Sequence, residues 1–572
     1  MKKVNNMKRS ILLLKVLLVG LFVTVFNQSC TDLDEQLYSE VTPDNFFENE
    51  EQFVSALAEA YTRMQNYASN DPYSLDEVST DEMVVPTRGQ DWDDGGDWRR
   101  FHLHSWTTEN GGMNGAWQFG FQGVNTCNRL LALFQSLVDE GKVSQADADA
   151  FFAELKVMRG FYYWKLIDWF GDVPLVLDFA NAEASPSRTA RATVFNTIVD
   201  ELEVEVPKLS DAVDASTYGR MNRYAGYALL ANLYLNAEVY TGTPMWEEAS
   251  AAADQIINSG KYTLETDYFA NFNVDNAGSR EIIYAIPYDE VFFQEYSLVM
   301  RTLHYGSQET YNLTAQPWNG YCSLEEFYNS YQDGDRRKGE PGTLDGPYTG
   351  RGNFLAGYQY KSDGTPVVDP GFEQPNENRT PEPLLGDPDP TPAWLNFGNI
   401  GTGRPQIHEL GPQALRQDGV RIGKWEFEVG GTQHMSNDRS VFRYGHILLI
   451  KAEAEWRQQN ESEALQYVNQ IRDRAGLTDP LTSLDGPLSF AVENGDVPGG
   501  ELFNEFGREM FAESFRRMDL IRWGYFTEVD EWVIPFYNPQ DVLITDEFTE
   551  LYPVPRPQSD SNPNLLPNNP GY

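Results

Sequence analysis

Four aspartates, three tryptophans, two arginines and two histidines fall within DWDDGGDWRRFHLHSW, residues 91–106. Residues of these types could bind a metal, catalyse, or grip a ligand. Asp91 and Asp93 match the first and third positions of a calcium loop. The fifth position is Gly95 and the twelfth His102, where calcium needs a bidentate glutamate, so no cofactor is expected and calcium is set aside. His102-x-His104 would put two imidazoles on one side of a strand, where zinc could use them; two histidines alone make a weak metal site, and a polar strand edge explains them better. Glycoside hydrolysis needs two spaced carboxylates, and among 86 acidic residues such a pair carries no information. The chain holds no G-x-S-x-G and no H-E-x-x-H. Binding fits better. A sugar ring has one apolar C–H face and a rim of hydroxyls, met by a flat aromatic and by charged or amide groups. STDEMVVPTRGQDWDDGGDW (79–98) supplies Asp81, Arg88, Trp92, Asp94 and Trp98, with Gly89, Gly95 and Gly96 keeping part of it a loop. Trp318 at the turn PWNGY and Trp394 in PAWLNFG join the candidate set, followed by Trp425 and Tyr296. The competing fate of each is core packing, which is expected outright for Trp106 and Trp117.

The charge narrows the partners. The net value is −43, and removing the five basic residues Lys2, Lys3, Lys8, Arg9 and Lys15 of the acid-free first 29 residues leaves −48. Such a surface repels nucleic acid and anionic lipid headgroups. Those 29 residues read as a secretory leader: a basic head, then ILLLKVLLVGLFVTVF, then NQSC. Ser29–Cys30 suits lipoprotein cleavage, so Cys30 is the expected lipidated start of the mature chain, and membrane attachment is expected through that lipid alone. Cys127 and Cys322 are expected as two separate buried thiols.

Elements must hold these side chains in place. In EQFVSALAEAYTRMQNYA, Val54, Leu57, Ala58, Tyr61 and Met64 share a helical face. Leu155, Met158, Tyr162 and Leu166 do so in a second helix, which Gly171 and Pro174 stop. Two stretches resemble tetratricopeptide pairs, with Ala231 and Ala249 in one and Ala452 and Ala464 in the other placed where helices touch closely. EIIYAIPY (281–288) reads as a strand, 333–430 as loops with a breaker at 386–392, and 501–524 as one amphipathic helix. In that helix Arg516 and Asp519 would pair across one turn. The proline-rich last twenty residues are expected to run extended over the surface.

FAESFRRMDLIRWG, LYPVP with NPNLLPNNPGY, FRYGHILLIKAEAEW, MRGFYYWKLIDWFGDVPL and GRMNRYAGYALLANLYL, in this order-specific set, resemble the SusD/RagB family of outer-membrane lipoproteins. The resemblance covers nearly the whole mature chain. It implies a mostly α fold, with about four tetratricopeptide-like helix pairs packed against an irregular loop-rich region with a few short strands. The expected divisions are a leader at 1–29, an acidic tether at 30–45, an N-terminal helical region at 46–290, loops at 291–438, and a C-terminal helical region with its tail at 439–572. The resemblance further implies a lipid anchor on the outer face of the outer membrane. It implies a non-catalytic glycan binder and a SusC-like TonB-dependent transporter that this chain would cap as a lid. A peptide ligand, a surface hydrolase and a ligand-free scaffold remain as alternatives.

Overall fold

A helix that is apolar on every side has to lie inside, and the stretch around MRGFYYWKLIDWF does. In the computed structural model, which describes residues 50–88, 91–368, 394–398, 414–529, 532 and 542–572, this stretch belongs to a long helix, Gln145–Phe170. Leu155, Met158, Tyr162 and Leu166 are all fully buried there. The leader, Cys30, the tether and the breaker at 386–392 lie outside the described residues. The chain divides into two units, Met1–Phe53 and Val54–Tyr572, and nearly all described residues belong to the second. No helix among the described residues is long and apolar enough to cross a membrane.

The helices include α1 (Glu50–Thr62), α2 (Asp71–Glu77), α3 (Asp97–His102), α4 (Gly111–Asp139), α5 (Gln145–Phe170), α6 (Arg191–Glu205), α7 (Arg223–Leu235) and α8 (Trp246–Ile257). Four more follow: α9 (Tyr444–Arg457), α10 (Glu461–Arg474), α11 (Gly500–Met510) and α12 (Arg516–Trp523). From α4 to α10 each helix packs on the next, which makes a row of tetratricopeptide-like pairs. The alanines at 231, 249, 452 and 464 are fully buried in the α7–α8 and α9–α10 pairs. Asparagine caps open two of the helices: Asn110 accepts from Met113 N and Asn222 from Ala225 N. Gly171, with φ +70°, closes α5.

The expected strand is present as β1 (Ile282–Ile286), paired antiparallel with β2 (Arg439–Arg443). The loop-rich excursion between them therefore leaves and returns at one buried ladder. Two-residue strand pairs staple it, Phe354–Leu355 on Arg421–Ile422 and Gly357–Tyr358 on Asn396–Phe397.

Four expectations change. On α1 the buried positions are Phe53, Leu57 and Ala60, with Met64 buried in the turn that follows, while Ala58 is exposed. The stretch 501–524 is two helices, α11 and α12, separated by a linker with Ala512 at φ 60° and Ser514 at φ 73°. That break frees two backbone amides, Ala512 N to Glu82 Oε2 at 2.8 Å and Ser514 N to Glu77 Oε1 at 2.5 Å, which tie the linker to the segment after α2. Arg516 reaches Asp81 rather than Asp519, whose carboxylate goes to Arg522 at 2.8 Å. The tail does run largely exposed over the surface, but it is not extended throughout. It includes a short helix, Arg556–Ser561, and buried Asn569 donates to Phe170 O and Tyr552 O.

Candidate functional site

The segment leaving α2 is buried from Ser79 to Arg88 and is held without regular secondary structure. Val84 exchanges both backbone hydrogen bonds with Cys322, at 2.9 Å each, joining it to the excursion. Arg88 continues the work. Its guanidinium donates to Asn319 O at 3.0 Å, to Asp418 O at 3.0 Å, to Cys322 Sγ at 2.8 Å, and to Leu415 O. Arg421 does the same from the other side, donating to Asn319 Oδ1 at 2.7 Å and to the carbonyls of Arg416, Asp418 and Gly419. Burial pulls its pKa down to about 9. Two arginines spent on carbonyls thus replace the ladder that a sheet would have supplied.

This anchored base carries a tight turn. Arg88 and Asp91 bridge each other, and then Trp92 and Asp94 adopt φ 60° and 41°, ahead of Gly95 and Gly96. Positive φ at two non-glycine residues, one of them bulky, costs on the order of 1–3 kcal/mol each and persists only where surroundings impose it. The surroundings are visible. Arg99 ties Asp93 Oδ1 to Thr87 Oγ1, both at 2.7 Å. Tyr305 donates to Asp91 Oδ2. Desolvation, then Asp91, pushes the Tyr305 phenol well above its ordinary range, so it stays a donor.

The turn presents aromatics. Trp92 and Trp98 meet edge to face at 5.5 Å, and both lie about 6.1 Å from the Tyr321 ring. Trp98 Nε1 donates to Asp94 Oδ2 at 2.6 Å, which sets its orientation. Trp92 Nε1 donates to Trp318 O at 2.7 Å, across more than two hundred residues of sequence. Trp318 itself is 39% exposed, and Trp92 and Trp98 are partly exposed. A Cβ on Gly320 would lie 2.5 Å from Trp92 Cζ2, so only glycine lets this indole settle on the Trp318 turn. Arg301 lies behind, 5.9 Å from the Trp318 ring and 5.7 Å from the Tyr321 ring.

The candidate residues therefore separate. Trp92 and Trp98 pair edge to face, and Trp318 exposes its ring on the adjoining turn, joined to them through its backbone carbonyl; these three make up the partly exposed aromatic face, with Asp94 exposed beside Trp98 as the acceptor that aims it. Asp81 does not join them. It is 1% exposed and bound twice to Arg516, at 2.7 and 2.6 Å, so it is an interior ion pair. Arg88 is 5% exposed with its donors used on carbonyls, and it supports the face from below. Trp394 is partly buried against Tyr358, beside the Val368 bridge, away from the three indoles in ring contacts. Trp425 and Tyr296 are core residues, as are Trp106 and Trp117. His102 ends α3 and does not lie on a strand. Burial lowers both its pKa and that of His104 to about 3, and His104 stacks on Phe526 at 4.3 Å. Asp91, Asp93, Asp94 and Asp97 are engaged by Tyr305, Arg99, Trp98 and Arg100, which leaves no convergent acid set in this loop. Cys127 and Cys322 are separate buried thiols. Sequence reasoning missed Tyr305 and Arg301. Tyr321 stood in the quoted turn without being singled out.

Such a face can stack on the apolar side of a flat ring, with Asp94, Asp91 and Tyr305 at its rim. Comparisons with known proteins bear on what kind of molecule carries it. Residues 417–572 match the model of the "SusD family", and residues 33–235 match that described as "Starch-binding associating with outer membrane". The chain is 27% identical to the starch-binding protein SusD of Bacteroides thetaiotaomicron, over 73% of this chain and 72% of that one. It is 24% identical to a SusD-like protein of Formosa agariphila, over 98% and 99%. Among solved structures, a SusD superfamily protein from Parabacteroides distasonis superposes with a TM-score of 0.66 at 20% identity, covering 93% of this chain and 100% of that one. The surface glycan-binding protein A of Bacteroides thetaiotaomicron, in complex with laminarihexaose, does so with a TM-score of 0.66 at 19% identity, covering 91% and 99%.

Proposed function

The chain belongs to the SusD/RagB family, and from that premise we propose that it is a non-catalytic glycan-binding lipoprotein of the outer-membrane surface. It captures oligo- or polysaccharide and delivers it to a SusC-like TonB-dependent transporter, over which it acts as a lid. Cys30 carries the lipid that anchors it, facing the cell exterior. One observation carries the binding half of this reading: the Trp92–Trp98 pair lies on the turn that carries exposed Trp318, more than two hundred residues away in sequence, on a base of strained backbone and buried arginines. The names of its relatives, a starch binder and a glycan binder caught with laminarihexaose, support a carbohydrate over a peptide. Each contact is modest, and long ligands add strength by engaging repeatedly.

Affinity electrophoresis through gels cast with different polysaccharides tests this. The chain beginning after Cys30 should be retarded by one glycan class, and Trp98→Ala and Trp318→Ala should each migrate freely while unfolding at the wild-type temperature. Unretarded wild type in every gel, or retardation that both substitutions leave intact, sinks the reading.

A further inference from the structure

Next to the aromatic face is a pocket that the reading above leaves unused. Its volume is about 490 Å³, within the range of small-molecule sites. The end of α1, the start of α2 and one side of α4 wall it, and Phe119 floors it. Gln118 and Gln122 stand one turn apart on α4, and Gln65 faces them. None of these three amides, nor the Asp71 carboxylate, makes a side-chain hydrogen bond to another described residue. Asp71 lies directly over α4 at Gly115, where an added Cβ would fall 1.7 Å from Oδ2; only a residue without a side chain leaves the carboxylate that position. Desolvation raises the Asp71 pKa to about 6, against the pull of Arg301.

Arg301 connects this pocket to the aromatic face. Its guanidinium donates to Asn70 Oδ1 at 2.8 Å on the pocket lip and to Tyr321 OH at 3.1 Å behind the indoles. One side chain thus forms the ridge between them. The pocket's charges also discriminate. The lining includes one cation, Arg63, which donates from Nε to Thr126 Oγ1 at 3.1 Å and lies 3.7 Å from Glu59. Asp71 and Glu295 line it as well, and Arg301 acts on the Asp71 carboxyl from outside the lining. Sulfate or uronate groups would meet two acids against one base that Glu59 already shares, whereas sugar hydroxyls can both donate to the carboxylates and pair with the amides.

We propose that this pocket is a second subsite that takes a neutral sugar unit hanging as a branch from a glycan chain seated on Trp92, Trp98 and Trp318. The inference rests on the glycan-binding reading above. Binding of a unit here desolvates the open amides, so each must find a hydroxyl partner, which is what makes the subsite selective.

The test uses neutral polysaccharides in pairs that share a backbone, unbranched against branched: amylose and amylopectin, curdlan and laminarin, mannan and galactomannan. Alginate serves as the acidic control. Wild type should prefer the branched member of the pair it binds. Gln118→Ala/Gln122→Ala removes two exposed side chains and should weaken retardation by that member about tenfold, with the unbranched member changed less than twofold. Gly115→Ala, which displaces the Asp71 carboxylate while leaving the amides, should do the same. Equal loss on both members, or no loss on the branched one, overturns the subsite while the Trp98→Ala result still upholds the aromatic face. Retention of wild type by alginate alone, or by none of these gels, overturns it too. Free migration of the pocket variants together with undiminished binding by Trp98→Ala would instead overturn the face.

Discussion

Asp81→Asn separates what holds the site from what touches ligand. Asp81 and Arg516 are each about 1% exposed, and the carboxylate grips the guanidinium through both oxygens. Burial opposes the charge on Arg516, and Asp81 is the first partner restoring it. Asparagine keeps the volume and one acceptor but points an amide N–H₂ at a cation. The remaining acid, Glu82 Oε1, is 3.8 Å from Arg516 Nε, and the Phe503 ring centroid is 4.1 Å from its carbon. Neither replaces a bidentate carboxylate. Breaking a buried pair from one side costs about 3–5 kcal/mol. The unit Val54–Tyr572 unfolds with an entropy near 1.1 kcal/mol/K, taking about 2.1 cal/mol/K per residue. The expected fall in Tm is therefore roughly 3–5 °C. Thermal unfolding of the chain beginning after Cys30 reads that shift, and affinity electrophoresis below the transition reads binding, which should stay within twofold of wild type. An unchanged Tm combined with lost retardation would refute the reasoning and return Asp81 to the ligand.

Gly320→Ala should do the reverse. Its Cβ would lie 2.5 Å from Trp92 and 2.9 Å from Arg301 O, so the indole must leave the Trp318 turn, and retardation should weaken about tenfold with a stability cost of about 1–3 kcal/mol. Full affinity in this variant would remove Trp92 from the face. Stability should also fall as pH rises from about 5 to 8. Burial pushes the Glu77 carboxyl up to about 8 and its neighbour Glu82 up as well, so the folded chain holds a proton that the unfolded chain releases near 4.5. That stabilisation is complete below 4.5 and is lost through about 8, at up to about 1.4 kcal/mol per pH unit. Glu77→Gln should flatten the decline in Tm over this window; parallel curves for both proteins would rule the shared proton out.

The helical row was legible because its signals are local. Ala231, Ala249, Ala452 and Ala464 mark close helix contacts by size alone, and β1 announced itself by β-branched residues. The break between α11 and α12 was hidden, because FAESF carries no glycine or proline. What imposes it is tertiary: Glu77 and Glu82, more than four hundred residues earlier, accept the freed amides of Ser514 and Ala512. The site divides in the same way. Tryptophans in a Gly/Asp loop were identifiable as candidates, and two of them, Trp92 and Trp98, do meet beside Trp318. Asp81 and Arg88 looked equally suited to a sugar rim, since an acid in a loop has the same letters whether its arginine is a ligand's neighbour or the core's. Only the position of Arg516 decides, and that is set by a helix at the far end of the chain.

This division has a physical consequence for how such a site can vary. Along 79–88 and 318–323 the backbone has almost no ladder; Arg88 and Arg421 tie Asn319 to the carbonyls of 415–419, and Asp81 is satisfied by Arg516. Arginine suits this role because its fork offers five donors in fixed geometry and keeps its charge under burial. The cost of ordering an irregular loop is met beneath the surface by groups that never see ligand. The turn above, from Asp91 to Trp98, then depends on only a few contacts of its own: Tyr305 to Asp91, Arg99 to Asp93, Asp94 to Trp98. Residues in that upper layer can change the shape of the aromatic face at small cost in stability, whereas a change in the lower layer unfolds the base on which any face would stand. In the proposed function, stability and ligand choice would therefore fall to different side chains within the same twenty residues.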